Sequence, residues 1–264
     1  MRAQVIRTPR LSIRWSAELL WALSIHRVNT RYKETLFGFG WILLQPIALT
    51  IIFAYIRRVA NIPSGEVPYP LFSATGLCAW ALTSLVVSQS LVCISGFTPV
   101  IKRVAVPKIL FPLSVIVASM VDLCVMVLFL IALLFYYGTA ISVTILWLPV
   151  LLFVHLCFLF ALTCLTSLAN VYMRDISHAL PSLLQLWFFA SPVFYPSSMV
   201  PEEFRALSHW NPLTGLIEGY RSVLLLHQSP SLQLLAHTAI ITFILLGIGL
   251  PIFVRLESCV ADAL

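Results

Sequence analysis

Charged residues divide the chain into long apolar runs. No Asp, Glu, Lys or Arg occurs in residues 35–56, 67–101, 123–173, 176–201 or 222–254. A helix needs about 20 residues to cross the ~30 Å hydrocarbon core of a bilayer, and each of these runs is long enough. The pattern therefore predicts an all-α integral membrane protein.

The longest uncharged run predicts two helices. It extends for 51 residues, and Tyr136, Tyr137 and Gly138 supply a turn flanked by aromatic rings of the kind found at membrane interfaces. We therefore predict six transmembrane helices in one permease domain that covers the whole chain. The expected spans are 35–56, 70–91, 109–135, 144–168, 178–196 and 232–254.

Composition agrees with a bilayer as the solvent. The chain is 60% hydrophobic and 10% charged, whereas a soluble domain carries about 25% charged and about 45–50% apolar residues. The net charge of +6 could indicate nucleic-acid binding. However, the basic residues lie at the ends of apolar runs, which is typical of membrane orientation, so we expect contact with membrane lipids and none with nucleic acid.

The distribution of Lys and Arg predicts the orientation. Six spans place both termini on one side of the membrane. On that side, residues 1–34, 92–108, 169–177 and 255–264 hold seven, three, one and one basic residues, which is twelve, against four on the other side. The positive-inside rule therefore places both termini in the cytoplasm, with 1–34 as an interface segment, 35–254 as the bundle and 255–264 as a tail.

The segment before the first span has the pattern of an amphipathic helix. Its apolar residues share one side over residues 12–33, and Trp15 and Trp21 lie near the margins of that side. We expect this helix to lie along the cytoplasmic interface with its rings at headgroup depth, and with Arg27 and Arg31 among the cations near anionic lipid. A solvated basic tail is the alternative.

Two cytoplasmic segments are candidates for docking a partner. The segment from Ser95 to Pro112 reads SGFTPVIKRVAVPKILFP and mixes basic with apolar residues, as a short helix that enters a protein groove would. Contact with the bilayer surface is the alternative. The second segment, NVYMRDISH at 170–178, is a polar island between apolar runs.

The longest segment predicted outside the membrane extends from Tyr195 to Ser231. Asn211 and Pro212 form a good helix start, because Asn is a capping residue and Pro suits the first helical position. Apolar residues then recur at helical spacing, although Glu218 and Arg221 interrupt them. We expect two short re-entrant helices within 199–226, which dip into the outer leaflet and return.

Asp122 is the most unusual polar residue. It falls near the middle of the third predicted span, where a charge costs roughly 2.5–3.5 kcal/mol on insertion scales. It should therefore face the protein interior or a wet path and take a hydrogen-bond partner. Structural packing, gating and proton coupling all stay open, and His155 is the one other ionisable candidate for coupling.

The chain carries no recognisable catalytic or ATP-binding motif. There is no GxxxxGK[ST] phosphate loop, no HExxH and no GxSxG, and no metal-ligand spacing occurs. The aromatic run from Trp187 to Pro196, WFFASPVFYP, is the densest in the chain. It fits sugar stacking along a glycan path and equally fits an interfacial aromatic belt.

In order and spacing, these segments resemble the membrane-spanning permease subunits of ABC transporters that export polysaccharides, in particular the O-antigen and teichoic acid branch. The resemblance extends over nearly the whole chain. Its motifs are RYKETLFGFGWILLQP (31–46), IKRVAVPKILFPL (101–113), NVYMRDISHALP (170–181), SPVFYPSSMVPEEFR (191–205), WNPLTGLIEGYRSVLL (210–225) and FVRLESCVADAL (253–264).

The resemblance implies a homodimer in the cytoplasmic (inner) membrane. Two copies of a separate ATPase would bind ATP and Mg²⁺, so this chain would need no cofactor. The coupling residues implied are Ser95, Gly96, Ile101, Lys102, Arg103, Pro107, Lys108, Arg174 and Asp175. The channel and gate residues implied are Asp122, Trp187, Phe188, Phe194, Tyr195, Asn211, Pro212, Glu218 and Arg221.

Two other functions stay open on the sequence. A permease of the same superfamily for a drug or another lipid would share the topology. A membrane-embedded transferase acting on lipid-linked sugar would need several acids or histidines at one depth, and only Asp122 and His155 are available, on different spans. The sequence therefore favours a transport subunit that exports a lipid-linked polysaccharide over an enzyme.

Overall fold

A computed structural model describes residues 13–33, 35–59, 67–103, 106–140, 142–173 and 175–257. These residues form helices and short connections, and they contain no strand. The α-helices are α1 (Ile13–Tyr32), α2 (Gly40–Val59), α3 (Tyr69–Leu91), α4 (Thr98–Arg103), α5 (Leu110–Tyr136), α6 (Leu148–Tyr172), α7 (Ile176–Ala190), α8 (Glu202–Trp210), α9 (Pro212–Leu224) and α10 (Leu232–Leu256). Single 3₁₀ turns occur at Ser95–Phe97, Val143–Trp147 and Ser197–Met199.

Among the described residues, five helices are long and apolar enough to cross a membrane. They are α2, α3, α5, α6 together with its preceding 3₁₀ turn, and α10. Four of the predicted spans, those assigned to 70–91, 109–135, 144–168 and 232–254, match their helices to within a few residues. The all-helical class is therefore confirmed.

The fifth predicted span differs from the structure. Instead of continuing to residue 196, α7 ends at Ala190 and has 15 residues, which extend for about 22 Å, less than the ~30 Å of a hydrocarbon core. Pro192 explains the early end, because the residue before a proline is disfavoured in the α-helical region and Ser191 is extended at ψ 145°. The described residues thus contain five helices long enough to span a membrane and one shorter apolar helix, α7, and the count of six crossings stays a prediction.

The turn between α5 and α6 lies where the sequence predicted it. Gly138 has φ +65°, a left-handed conformation that glycine adopts without strain. The backbone N–H of Gly138 donates to the carbonyl of Phe135 at 3.1 Å, so the turn closes directly on the end of α5. The two helices therefore run antiparallel, and they create two distinct ends of the bundle.

Helix α3 is the centre of the bundle. Most of its residues are buried, and it packs against α2, α5, α6, α7 and α9. We name the end where α3 finishes and α5 begins the α4 end, and the end where α3 begins and α5 finishes the α9 end. Helix α2 and helix α10 are largely exposed, so they form the outside of the single chain.

Helix α1 lies lengthwise against α5. Ser24 and Arg27 contact Ser114, and one to two turns later Arg31 contacts Asp122. The two helices therefore run in the same direction along about 12 Å of α5, at 1.5 Å per residue. The helix predicted over residues 12–33 is therefore present and packs along α5, while its position at the membrane interface stays a prediction.

Candidate functional site

Asp122 is fully buried and paired between α5 and α1. Its Oδ2 accepts a hydrogen bond from Nη1 of Arg31 at 2.7 Å, and its Oδ1 accepts one from the hydroxyl of Tyr32. Burial and the bond to Asp122 raise the pKa of Tyr32 to about 12, so this hydroxyl keeps its proton and stays a donor. The expectation that Asp122 faces the protein interior with a hydrogen-bond partner is confirmed.

Arg27 forms a second link from α1, one turn before Arg31. Its Nε donates to the Oγ of Ser114 at 2.8 Å, and its Nη2 donates to the carbonyl of Cys93 at 2.9 Å. The guanidinium also lies 5.1 Å from the centre of the Phe97 ring. Arg27 therefore joins α1, the start of α5 and the turn that leads from α3 into α4.

These contacts correct the role expected for the α1 arginines. Arg27 is buried and Arg31 is only 14% exposed at its side chain, so both charges face the protein rather than anionic lipid. Trp21 is exposed, in agreement with a ring at a margin of the helix, and Trp15 is half-buried. Neither the inward direction of the arginines nor the part played by Tyr32 was evident from the sequence.

In the predicted docking segment, the 3₁₀ turn Ser95–Phe97 and helix α4 form a short helical hook at the α4 end. We name these residues, 95–103, the α4 hook. The hydroxyl of Thr98 donates to the carbonyl of Ser95 at 2.7 Å and joins the 3₁₀ turn to α4. Ile101 is only 7% exposed and packs into the bundle's own core, whereas Val100 is 39% exposed and Lys102 is also exposed. The outward face of α4 therefore includes Pro99, with Val100 and Lys102 on either side of it.

The remaining coupling candidates are spread around the same end. Gly96 is exposed, Pro107 is half-buried, and Lys108 contacts Glu257 through both its backbone N–H and its ammonium group. Asp175 is exposed and precedes α7. Arg174 lies outside the described residues, as does the side chain of Arg103.

At the α9 end, Asn211 organises the start of α9. Its Oδ1 accepts from the backbone N–H of Leu213 at 3.1 Å, which makes it the predicted N-cap, with Pro212 at the first helical position. The same oxygen accepts from Nε1 of Trp187 at 3.0 Å, and the amide nitrogen donates to the hydroxyl of Ser191 at 2.9 Å. Asn211 thus fixes α9 to the end of α7.

Arg221 holds the segment that follows α7. It is only 1% exposed, and its Nη1 and Nη2 donate to the carbonyls of Pro192 at 2.7 Å and Val193 at 2.6 Å. Longer bonds reach the carbonyls of Tyr195 and Phe72, both at 3.4 Å. A non-regular segment has backbone carbonyls without helical partners, and Arg221 supplies the donors that burial makes necessary.

Glu218 completes this cluster. Its Oε1 lies 3.2 Å from Nη1 of Arg221 and accepts from the backbone N–H of Ser197 at 3.3 Å. The guanidinium also lies 3.6 Å from the centre of the Phe72 ring. The two charges that interrupt the apolar pattern of α9 therefore compensate each other, and together they fix residues 192–197 against α3.

Gly76 on α3 makes this close approach possible. A Cβ added at Gly76 would lie 2.7 Å from Nη2 of Arg221 and within overlap distance of the Val193 carbonyl oxygen. We expect Gly76→Ala to destabilise the chain by about 1–3 kcal/mol, as overpacked sites do. Thermal unfolding in detergent checks this, with Gly247→Ala as the control because nothing lies near a Cβ there. Equal midpoints for the two variants would contradict it.

The predicted aromatic residues form one cluster between α2, α3 and α7. The rings of Phe53 and Phe194 stack in parallel at 4.4 Å, and Phe188 lies 5.7 Å from Phe194 and 5.4 Å from Trp80. Tyr195 lies 5.1 Å from Phe194. Phe188 and Trp80 are buried, whereas Phe53, Phe194 and Tyr195 are half-buried, so the cluster presents rings at the edge of the bundle beside α2.

His155 and Asp122 are not brought together. The Nε2 of His155 lies 3.0 Å from the hydroxyl of Thr83, and its Nδ1 lies 3.2 Å from the hydroxyl of Tyr220. Its partners thus belong to α3 and α9, whereas those of Asp122 belong to α1. Across the described part of the chain, no three His, Cys, Asp or Glu side chains are grouped so that they could hold a metal ion.

Comparison with known proteins identifies the family. The sequence profile of the ABC-2 type transporter family matches residues 18–225. The chain is 30% identical over 240 residues to the O-antigen export system permease protein RfbA of Myxococcus xanthus, covering 89% of this chain and 91% of that protein. It is 28% identical over 251 residues to the RfbA permease of Klebsiella pneumoniae, covering 94% and 95%.

The name of a more distant relative refers to a different polysaccharide. The polysialic acid transport protein KpsM of Escherichia coli is 23% identical over 242 residues, which cover 88% of this chain and 91% of that protein. The region matched by the family profile includes α1 from residue 18, the α4 hook and the α8–α9 pair. The profile match and these full-length similarities show that the chain belongs to the ABC-2 transporter permease family.

Proposed function

We propose that this chain is the membrane-spanning subunit of an ATP-driven exporter that moves a lipid-linked, O-antigen-like polysaccharide across the cytoplasmic membrane. The observation that carries the proposal is the similarity to O-antigen export permeases over about nine-tenths of the chain. The fold is compatible with it, because the polar clusters around Asp122, Arg221 and Asn211 join the helices of a bundle with five apolar helices long enough to span a membrane.

The energy would come from a partner. The sequence has no phosphate loop, so two copies of a separate ATPase would bind ATP and Mg²⁺, and two copies of this chain would form the channel. The α4 hook is the docking surface that we assign to the ATPase. Its support is the exposed pair Val100 and Lys102, together with the link through Arg27 from the turn before α4 to α1 and α5.

The orientation follows from this assignment. The α4 end would face the cytoplasm together with both termini, and α7 with the segment to residue 196 would make the sixth crossing. The α8–α9 pair would be the re-entrant outer gate. In support, Asn211 at the start of α9 contacts the end of α7, while the carbonyl of Val223 near its end accepts from Thr144 beside the α5–α6 turn.

We expect Val100→Asp and Lys102→Glu to lower transport-coupled ATP hydrolysis at least several-fold without lowering the midpoint of thermal unfolding. Both side chains point away from the bundle, so the substitutions change a docking surface only. ATPase activity of the reconstituted complex and unfolding of the purified chain measure the two effects.

Ile101→Ala is the matched comparison from the same helix. Because Ile101 is buried in the bundle, its truncation is expected to lower the free energy of unfolding by about 2–5 kcal/mol. Normal coupling in both Val100→Asp and Lys102→Glu would overturn the assignment of the α4 hook. Unchanged stability of Ile101→Ala would show that its side chain does not pack closely against the bundle.

The proposed function is tested by deleting the protein and locating the glycan. Accumulation of lipid-linked polysaccharide on the cytoplasmic face, reversed by the intact chain, is the expected result. Purification of the tagged chain in mild detergent should also recover an ATPase with a phosphate loop. Normal surface glycan in the deletion strain, or a cytoplasmic build-up of another lipid or a drug, would overturn the polysaccharide assignment.

A further inference from the structure

A cavity of about 320 Å³ lies between α3, α5, α6 and α9, towards the α9 end. Its inner wall is formed by residues of α3 that are themselves buried, namely Cys78, Ala79 and Leu82. The other walls come from the second half of α5, the first half of α6 and the last turn of α9. It is separate from the α4 hook and from the clusters around Asp122 and Arg221.

The cavity is open on the side of α5. Among its lining residues, Val127, Ile131 and Phe135 lie one or two turns apart on α5 and are exposed at the surface of the bundle. Helix α5 is one of the helices that is long and apolar enough to span a membrane. With α5 across a bilayer, the opening would face hydrocarbon chains and not bulk water.

The interior of the cavity offers packing surface rather than hydrogen bonds. His155 lines it, but its ring nitrogens lie within hydrogen-bond distance of Thr83 and Tyr220. The rest of the inner wall is apolar, apart from the hydroxyl of Thr75, which donates to the carbonyl of Leu71. A ligand that reaches the inner wall must therefore be a flexible apolar chain. A polar ligand would lose its hydrogen bonds to water there without replacing them.

The end of the cavity nearest the α5–α6 turn is polar. Thr139, Ser142 and His227 line it. The Nδ1 of His227 is buried and makes no hydrogen bond to any described group, and the residue has φ +56°, which is uncommon for a residue other than glycine. Because this nitrogen is closed even to a molecule the size of water, the groups that a ligand meets at this end are the hydroxyls of Thr139 and Ser142 and the rest of the His227 ring.

From these features we propose that the cavity is a binding site for one acyl chain of a membrane glycerophospholipid. The chain enters between α5 and α6, and the phosphate or ester group of the lipid lies beside His227, Ser142 and Thr139. If each methylene group takes ~30 Å³, about the share of one water molecule in the liquid, the cavity holds roughly ten of them, so a long segment of one acyl chain is inside.

The apolar interior and the polar rim together select this occupant. Lipid tails are as apolar as leucine, so an acyl chain is not driven into the cavity by dehydration and gains only closer packing there. The rim supplies the additional selectivity, because it bonds a headgroup at the depth where α5 ends at Tyr136. A diacyl lipid fits both parts of the site at once.

Occupancy of the site bears on α9. Tyr220, Val223 and Leu224 on the last turns of α9 line the cavity, so the acyl chain packs against the same helix that Arg221 and Asn211 fix from its other sides. The bound lipid therefore packs against α9 and stabilises its position in the bundle. This inference requires only that α5 and α6 lie in the bilayer, and it does not depend on the cargo being a polysaccharide.

Photolabelling of the full-length chain tests the site. The protein, with its ATPase if the two purify together, is reconstituted in liposomes of phosphatidylethanolamine and phosphatidylglycerol. A trace of phosphatidylethanolamine with a diazirine at the end of one acyl chain is added, and labelled residues are mapped by mass spectrometry. We expect saturable labelling of Leu82 and Met126, which are 2% and 3% exposed and line the cavity.

Two neighbouring substitutions provide the control. Leu152 lines the cavity, so Leu152→Trp fills it and is expected to lower labelling of Leu82 at least five-fold. Phe153 is exposed on the adjacent face of α6 and does not line the cavity, so Phe153→Trp should leave that labelling unchanged. If Leu152→Trp does not fold, the saturable pattern in the native chain still decides the question.

The rim is tested separately with His227→Asn, which removes the imidazole while Asn tolerates the left-handed backbone. We expect it to abolish the preference of the cavity for the phospholipid probe over a diacylglycerol probe with the same chain. An unchanged preference would overturn the role of the rim.

Three results would overturn the acyl-chain site. The first is labelling confined to outward residues such as Leu128 and Phe153. The second is chain-to-chain crosslinking at the opening, which would show that a second copy fills it. The third is preferential labelling of Leu82 and Met126 by a diazirine-bearing polyprenyl phosphate, which would assign the cavity to a carrier lipid instead. None of these results changes the expected accumulation of glycan in the deletion strain.

Discussion

Asp122→Ala is expected to lower the free energy of unfolding by about 3–5 kcal/mol, the cost of removing one partner from a buried ion pair. The substitution leaves the Arg31 guanidinium without its carboxylate at a site that is largely shielded, and it removes the acceptor of the Tyr32 hydroxyl. Because these contacts fix α1 along α5, we also expect the amino-terminal helix to become sensitive to protease. Denaturant titration in detergent and limited proteolysis measure the two effects.

A double variant separates the charge pair from simple packing. Arg31→Met with Asp122→Leu removes both charges together, and replacement of a buried pair by apolar side chains of similar volume is often neutral or stabilising. We therefore expect the double variant to regain most of the stability that Asp122→Ala loses. If Asp122→Ala unfolds at the same denaturant concentration as the native chain, the pair does not hold α1 in place.

Arg221→Met is expected to destabilise the α9 end by about 3 kcal/mol or more, since each buried acceptor left without a partner costs ~1–3 kcal/mol. Met keeps an unbranched apolar side chain but donates no hydrogen bond to the carbonyls of Pro192 and Val193. The segment after α7 should then lose its fixed position against Gly76. Hydrogen exchange of residues 191–197 and export of the glycan are the measurements.

Two further variants make this result specific. Arg221→Lys keeps the charge beside Glu218 but replaces the planar fork with a single ammonium group, so we expect an intermediate loss. Arg205→Met on α8 removes an arginine whose ion pair with Glu202 is exposed, and it should change stability by under about 1 kcal/mol. Equal effects at Arg221 and Arg205 would contradict the role described for Arg221.

Much of the fold could be predicted because the bilayer imposes a simple rule on length. Uncharged runs locate α3, α5, α6 and α10 to within a few residues, and the turn at Gly138 follows from its glycine and neighbouring tyrosines. The predicted end of α7 was wrong because the uncharged run continues to Glu202, whereas the helix does not. Pro192 was the available signal, because a proline shortly after an apolar helical run limits the helix more strongly than the next charge does.

The candidate site was less predictable because its contacts join distant parts of the chain. The need of Asp122 for a partner follows from its position in a span, but Arg31 lies 91 residues away, and nothing local selects it over Lys108 or another cation. Likewise, the apolar residues of the docking segment suggested a partner surface, although Ile101 packs inward. Gly76 carries no signal at all, because only the folded chain brings Arg221 to it.

The order of synthesis gives the Asp122 pair a further consequence. Arg31 and Tyr32 leave the ribosome 91 and 90 residues before Asp122, which is about 5–18 s at 5–20 residues per second. Arg31 and Tyr32 are therefore already present when α5, which carries Asp122, emerges for insertion. The nascent chain can shield this carboxylate as soon as α5 enters the bilayer, long before α9 and α10 exist to complete the bundle.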